Sequence, residues 1–585
     1  MSDELLELTR VTETRVEQPA VEAAETDSAS GLPVIAVSAA ASLALSACGG
    51  GGSSPNSSGP GDGSGNGGTP PVAPPKPLTE TEAARFLVQA AVGITRTQIA
   101  RVQAIGYAAW IDEQMALAPS TSRWDWLKTK GFDALTYRSS EAGMDQAVWR
   151  KLISSPDTLR QRVAQALSEI LVVGIGGLNT DWRQFAACTY LDMLEANCFG
   201  NFRTLLEAVS TSLPMGVYLT FRGNTKFNAK TGALPDENYA REIMQLFSIG
   251  LVQLNLDGTP KLNSSGAQQE TYTLDDIAGL ARVFTGWEYD RTTSGAETPD
   301  FVKRPMIQIA ARHETGEKKF LGSTIAAGTD GVQSMKAALD TIFAHPNVAP
   351  FISKQLIQRL VTSNPSPAYV ARVATVFNND SKNVKGNLAA VVKAILLDDE
   401  ARNANSLSNA QFGKVREPIF RFLAWARAFN LNSVSDAWNI GNTSDPGISL
   451  GQSPMRSGSV FNFFRPGYVP PNSPVGNASL VAPELQIVNE SSVIGYVNFM
   501  QRTVSQINTD LVPDYSSLLK LVGDPAGLIK ELNLLLAAGQ LSDATVSTIV
   551  SAIGGMSSET DVQKNNRIYA ALTLVLAAPE FIVIK

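Results

Sequence analysis

The stretch "SPDTLRQRVAQALSEILVVG", residues 155–174, carries the reading of the fold. Leu159, Val163, Leu167 and Leu171 recur at helical spacing, so one stripe of the segment is apolar. Ser155-Pro156 in front of them fits a cap and a first turn, because proline's fixed φ and missing N–H suit the start of a helix. The spacing predicts an amphipathic helix.

The same texture extends in both directions. Upstream, "LTETEAARFLVQAAVG" (78–93) opens with Thr79 as N-cap and Glu82 at capping-box distance. "ITRTQIARVQAIGYAAWIDEQMA" (94–116) predicts a short helix, a break at Gly106 and a second helix. Downstream, "VAPFISKQLIQRLVTS" (348–363), "KVREPIFRFLAWARAFN" (414–430) and "NNRIYAALTLVLAAPEF" (565–581) repeat the helical period. Period-two alternation is scarce, with short β pieces expected only near 252–258 and 304–310. No fixed-period repeat argues for a solenoid. Residues 78–585 are therefore expected to form a mostly α, large multi-helix globular body with few short strands.

The first 77 residues have a different character. "LPVIAVSAAASLALSA" (32–47) is an apolar run too short for a spanning helix and of signal-peptide length. It ends in Leu45-Ser46-Ala47-Cys48, similar to the bacterial lipobox, in which the cysteine is diacylated and becomes the new N-terminus. Two acyl chains suffice for stable anchoring. Residues 1–47 thus read as a leader, with an atypical acidic start whose only basic residues are Arg10 and Arg15. The Gly/Ser/Pro-rich run 48–77 reads as a disordered, flexible tether, since it cannot bury apolar area. The expected location is the bacterial cell envelope, with the membrane contacted through lipidated Cys48. The net charge of −7 and the lack of any Lys/Arg block exclude nucleic acid as the main partner. Cys188 and Cys198 would lie ~15 Å apart in one continuous helix, too far to bond. A break near Asn197 and Gly200 would permit a disulfide, and two buried free thiols are the other reading.

Candidate chemistry gathers in "DENYAREIMQLFSIG" (236–250). Asp236 can cap this helix. Asn238, Arg241, Glu242 and Gln245 share one stripe, and Tyr239, Ile243, Leu246 and Phe247 another. The polar stripe is a solvated face, a structural Arg–carboxylate network reaching Asp275, or part of a site. Two histidines are present, His313 and His345. His313 in "RHETGEKKFLG" is a potential acid–base group, although Glu317 stands where a zinc-protease motif needs its second histidine. His345 before Pro346 can place its charge on a helix C-terminus. A metal set of His313 and His345 with Glu314 or Asp276 has no supporting spacing, and no cofactor is assigned. "SVFNFFRPGYVPP" (459–471) is either an aromatic surface for sugar rings or peptide, or a loop pinned into the core by Phe461, Phe463, Phe464 and Tyr468.

Seven blocks in order resemble one family. They begin at Arg85 ("RFLVQAAVGITRTQI"), Leu159 ("LRQRVAQALSEILVV"), Glu237 ("ENYAREIMQLFSIG"), Leu274 ("LDDIAGLARVFTGW"), Arg312 ("RHETGEKKFLG"), His345 ("HPNVAPFISKQLIQRLVTS") and Ser453 ("SPMRSGSVFNFFRPGYVPP"). The chain resembles the bacterial family called domain of unknown function 1800 from about residue 80 onward. The resemblance implies exported, largely helical proteins without an established activity. Gln245 stands where the family usually carries Glu. Two functions follow as expectations. One is an envelope-anchored protein that binds or scaffolds a polysaccharide or another exported protein. The other is a hydrolase of an envelope or extracellular polymer, with Glu237, Arg241, Glu242, Asp275 and His313 as its site.

Overall fold

The computed structural model describes residues 77–505 and 508–585. The leader, Cys48 and all but the last residue of the tether lie outside the described residues. Helices dominate, twenty-four α-helices among the described residues, and the strands form four antiparallel two-stranded pairs. Among the described residues no helix is long and apolar enough to cross a membrane. The elements that position the sites are α1 (Glu80–Ala90), α2 (Thr158–Ser168), α3 (Asn238–Gln245), α4 (Leu274–Ala281), α5 (Val348–Leu360), α6 (Pro418–Ala428), α7 (Glu490–Ser505) and α8 (Pro525–Ala537). With them go strands β1 (Lys414–Val415) and β2 (Val583–Ile584).

Local chemistry sets the element ends. Thr79 and Glu82 close the expected capping box on α1. Gly106 interrupts helix Arg96–Ala116 with φ of 80°, a conformation that glycine adopts without steric cost. The start of α2 differs from the expectation. Ser155 ends the preceding helix, Met144–Ser154, by donating its N–H to Lys151. The new helix begins at Thr158 after Asp157, because the Pro156 carbonyl accepts the Thr158 N–H in a tight turn. The two β expectations hold locally. Ile307–Gln308 pairs with Trp287–Glu288, and the isolated bridges Val252↔Glu270 and Leu254↔Pro260 fall in the other segment.

The amphipathic reading of α2 gives way to a helix buried on every side. It packs against α1, α5 and the helices Arg96–Ala116, Met144–Ser154 and Arg183–Asn197. Every residue from Thr158 to Leu167 is buried, including Arg160, Gln161, Arg162 and Gln165. A helix surrounded on all faces must satisfy its polar groups from its neighbours. The guanidinium of Arg162 accordingly donates to the Arg359 carbonyl at 2.7 Å and lies over the Phe420 ring at 4.0 Å. Cys188 sits within helix Arg183–Asn197 and Cys198 caps it; both are free and buried.

Between strand Asn432–Ser433 and α7 the chain has almost no regular structure, only the one-turn α-helix Pro474–Asn477 and the 3-10 helix Pro483–Ile487. Specific bonds fix this long segment. Arg456 grips Asp145 with two bonds of 2.9 and 2.7 Å, and Asn364 exchanges two 2.9 Å bonds with the backbone of Val481. Where it passes α7, a Cβ on Gly495 would stand 2.1 Å from the Pro446 carbonyl oxygen, so only glycine permits the approach.

Candidate functional site

The α3 stripe divides. Glu237, not Asp236, holds the N-cap position and makes no side-chain cap; Asp236, one position earlier, accepts the Asn238 N–H at 2.8 Å and the Thr220 hydroxyl at 2.6 Å. Arg241 meets Glu237 at 3.3 Å, and both side chains remain about two-fifths exposed (39% and 40%). Exposed pairs of this kind contribute little, ~0.3–0.5 kcal/mol. Glu242 points inward instead. Burial pushes its carboxyl up to about 7, partly countered by Arg241, and its Oε2 has no hydrogen-bond partner. Asp275 is exposed in the first turn of α4, whose cap is the Thr273–Asp276 box.

His313 is 2% exposed and belongs to another neighbourhood. Its Nδ1 lies 3.0 Å from the Thr285 carbonyl and 3.2 Å from the Thr285 hydroxyl, while Nε2 is unpartnered. Burial lowers its pKa, so the neutral ring is favoured and its Nδ1–H can donate to the carbonyl. Of the five residues, the structure pairs Glu237 with Arg241; no hydrogen bond or ion pair joins Asp275 or His313 to them. Among the described residues no three His, Cys, Asp or Glu side chains gather as a metal site. His345 ends helix Gly331–Ala344, yet burial and the nearby Lys261 and Lys385 lower its pKa. It therefore serves as a neutral acceptor for the Asn347 N–H at 3.2 Å rather than as the expected charged cap.

A different set of residues converges at the C-terminal end of α2. Glu169 (5% exposed) has Oε1 bonded by Gln165 at 3.2 Å. Its Oε2 stands 3.5 Å from Arg359 Nε, an ion-pair contact without hydrogen-bond alignment, so both atoms lack a hydrogen-bond partner. Burial, together with the nearby Glu417 charge, pushes the Glu169 pKa up. Burial also acts on Glu417, but Lys414, Gln452 and the arginines outweigh it and hold Glu417 ionised. Two buried carboxylates in one field repel, so the charge on Glu417 favours the protonated form of Glu169. Lys414 on β1 also meets Glu484 at 3.1 Å.

Glu169 lines a small cleft beside Gln165, Ser168, Val172 and Val173. The opposite wall is the long irregular segment, through Gln452, Ser453, Met455, Asn462 and Phe463. Ser453 is fully buried with an unpartnered hydroxyl, and the Asn462 amide nitrogen is unpartnered too. Met455 and Asn462 hold φ of 60° and 62°, the left-handed region that side chains other than glycine rarely adopt. The Ile175 N–H donates to the Met455 carbonyl at 2.7 Å and helps to fix the wall. Strained backbone, orphaned polar atoms and a carboxyl whose pKa burial pushes up, together in one cleft, are features of binding sites. Phe464 is buried and Phe461 half-buried, so the aromatic run is pinned at one ring and open at another.

In the sequence Glu169 is one polar residue within a helical block. Polar residues between the leucines of one isolated helix look like its solvent face. The one sequence signal for the cleft was that its two walls fall in the blocks at Leu159 and Ser453. No curated protein and no solved structure matches the chain. A family model described as "Protein of unknown function (DUF1800)" matches residues 85–583, spanning both walls of the cleft and α3, and the chain belongs to that family.

Proposed function

We propose that the chain is an exported, lipid-anchored bacterial envelope protein whose helical body binds a neutral polysaccharide through the Glu169–Ser453–Asn462 cleft. One observation carries this reading: three unpartnered polar groups line one cleft, and each can donate a hydrogen bond. A protonated Glu169, the Ser453 hydroxyl and the Asn462 amide together suit an oxygen acceptor such as a sugar hydroxyl or an acyl carbonyl. Phe463 on the wall and the half-buried Phe461 nearby offer ring faces to the apolar side of a sugar. The cleft takes one substituent of a chain rather than a whole polymer, which suits recognition along an exposed surface. Anchoring rests on Leu45-Ser46-Ala47-Cys48 and on the composition of the run that follows. The hydrolase alternative rests on Glu242 and His313, which no contact joins.

Two measurements test this. Cys48→Ala should move the protein from the membrane pellet to the soluble fraction. If it stays in the pellet, the anchor is wrong. Ser453→Ala with Asn462→Ala should weaken retention in gels containing soluble envelope polysaccharide at least about tenfold, the loss of about one good hydrogen bond each. Unchanged retention of the folded double variant rejects the cleft as the binding site.

A further inference from the structure

A groove of about 500 Å³ lies between the last two turns of α7 and the irregular segment that precedes this helix. None of its described lining residues belongs to the cleft at Glu169, so it stands apart from the polysaccharide reading above.

Two hydroxyls on the groove lack partners. Thr503 is 2% exposed and Ser449 7%. A threonine inside a helix can return its hydroxyl to the carbonyl four residues earlier, as Thr573 does to Tyr569 at 2.8 Å. Thr503 does not. Among the described residues neither its hydroxyl nor that of Ser449 forms a hydrogen bond. Buried polar groups are paired as a rule, so two orphans on one groove suit a guest rich in oxygen. The Asn442 side chain adds to them. Its Oδ1 accepts the Ser444 N–H at 2.9 Å, and its amide N–H groups are unused.

Charge and apolar surface complete the groove. Arg502 is the one charged residue among the described lining residues, and no carboxylate pairs with it. One of its N–H groups donates to the Ile448 carbonyl at 2.9 Å, which ties the guanidinium to the irregular segment and leaves the others free. Phe499 is half-buried, packed on one side against Phe422 of α6 with 6.1 Å between ring centroids, and what remains of it lines the groove with Ile440 and Ile448.

We infer that this groove binds a carboxylate-bearing sugar ring, a uronic acid residue. Its carboxylate meets the unused N–H groups of Arg502, its ring hydroxyls meet Thr503, Ser449 and Asn442, and its apolar face lies on Phe499. A guanidinium without an internal counter-charge matches a carboxylate. Hydroxyls and an amide, which donate and accept, match ring hydroxyls that do the same. The C–H face of a sugar suits an aromatic ring. A neutral sugar would leave Arg502 unanswered, and a peptide carboxylate would leave the hydroxyls unanswered.

The test is titration of the whole protein with methyl β-D-glucuronide and with methyl β-D-glucoside, followed by saturation-transfer NMR. The glucuronide should bind at least about tenfold more tightly. Glycyl-leucine, which has a carboxylate and an apolar side chain but no ring hydroxyls, should bind at least about tenfold more weakly than the glucuronide. Arg502→Gln should reduce the glucuronide to the affinity of the glucoside. Thr503→Val keeps the shape and removes a hydroxyl with no partner in the fold. It should melt no lower than the wild type yet bind the glucuronide about fivefold more weakly. Absent glucuronide binding overturns the inference, as does equal affinity for the glucoside or for glycyl-leucine. So does a preference that survives Arg502→Gln, or an affinity that Thr503→Val leaves unchanged.

Discussion

Glu169 ties stability to pH with a sign opposite to that of a surface carboxylate. Burial raises its folded pKa to about 8. Between the ordinary glutamate value and that pH the folded chain holds a proton that the unfolded chain has released, so folding stability falls as pH rises. Below the ordinary value both states are protonated and the effect vanishes. Glu169→Gln keeps the shape and the neutral form and removes the linkage. The variant should therefore gain on the wild type between pH 5 and pH 8 by on the order of 2 kcal/mol in urea unfolding. Equal pH slopes for the two proteins would show that Glu169 is ionised. Glu242, raised to about 7 by burial, has the same sign over a narrower window. Sequence reading singled out Glu242 because its stripe is compact, and missed Glu169 because the stripe of α2 looks like any solvated face. The difference lies in which neighbours cover each helix, and periodicity carries no information about that.

Helices were legible one by one, through the capping box at Thr79, the break at Gly106 and the leucine spacing of α2. The ordered irregular segment before α7 was not. Its Gly, Pro, Ser and Asn content describes a loop, and its order comes from side chains remote in sequence, such as Asp145 and Asn364. Gly495 is the point where α7 locks that segment, its Cα facing the Pro446 carbonyl. Gly495→Ala should push residues 446–447 off the helix. The expected cost is about 1–3 kcal/mol, the usual range for overpacking. Amide hydrogens of residues 445–460 should exchange faster, while those of α2 keep their protection. Uniform loss of protection would mean that the segment is not an independent unit of opening.

At the scale of the whole molecule, one continuous core joins the first described helix to the last residues. Strand β2 pairs with β1, placing Val583 and Ile584 beside Val415 and Lys414, and the Arg416 N–H donates to the Ile582 carbonyl at 2.6 Å. Phe581, fully buried, supports the Arg416 guanidinium. Removal of residues 579–585 should therefore lower Tm by several degrees. A truncated protein with unchanged melting would show that the pairing contributes nothing. The mostly helical character of the body was readable from the sequence, but this closure was not, since its two strands are two residues each and lie far apart along the chain. The closure has a consequence for biogenesis. Arg85 donates to the carbonyl of Lys585, five hundred positions away (|i−j| = 500). A nascent chain leaving the ribosome cannot complete this interior until residues 581–585 have been synthesised, so the body stays incompletely knit while the residues before them are being translated.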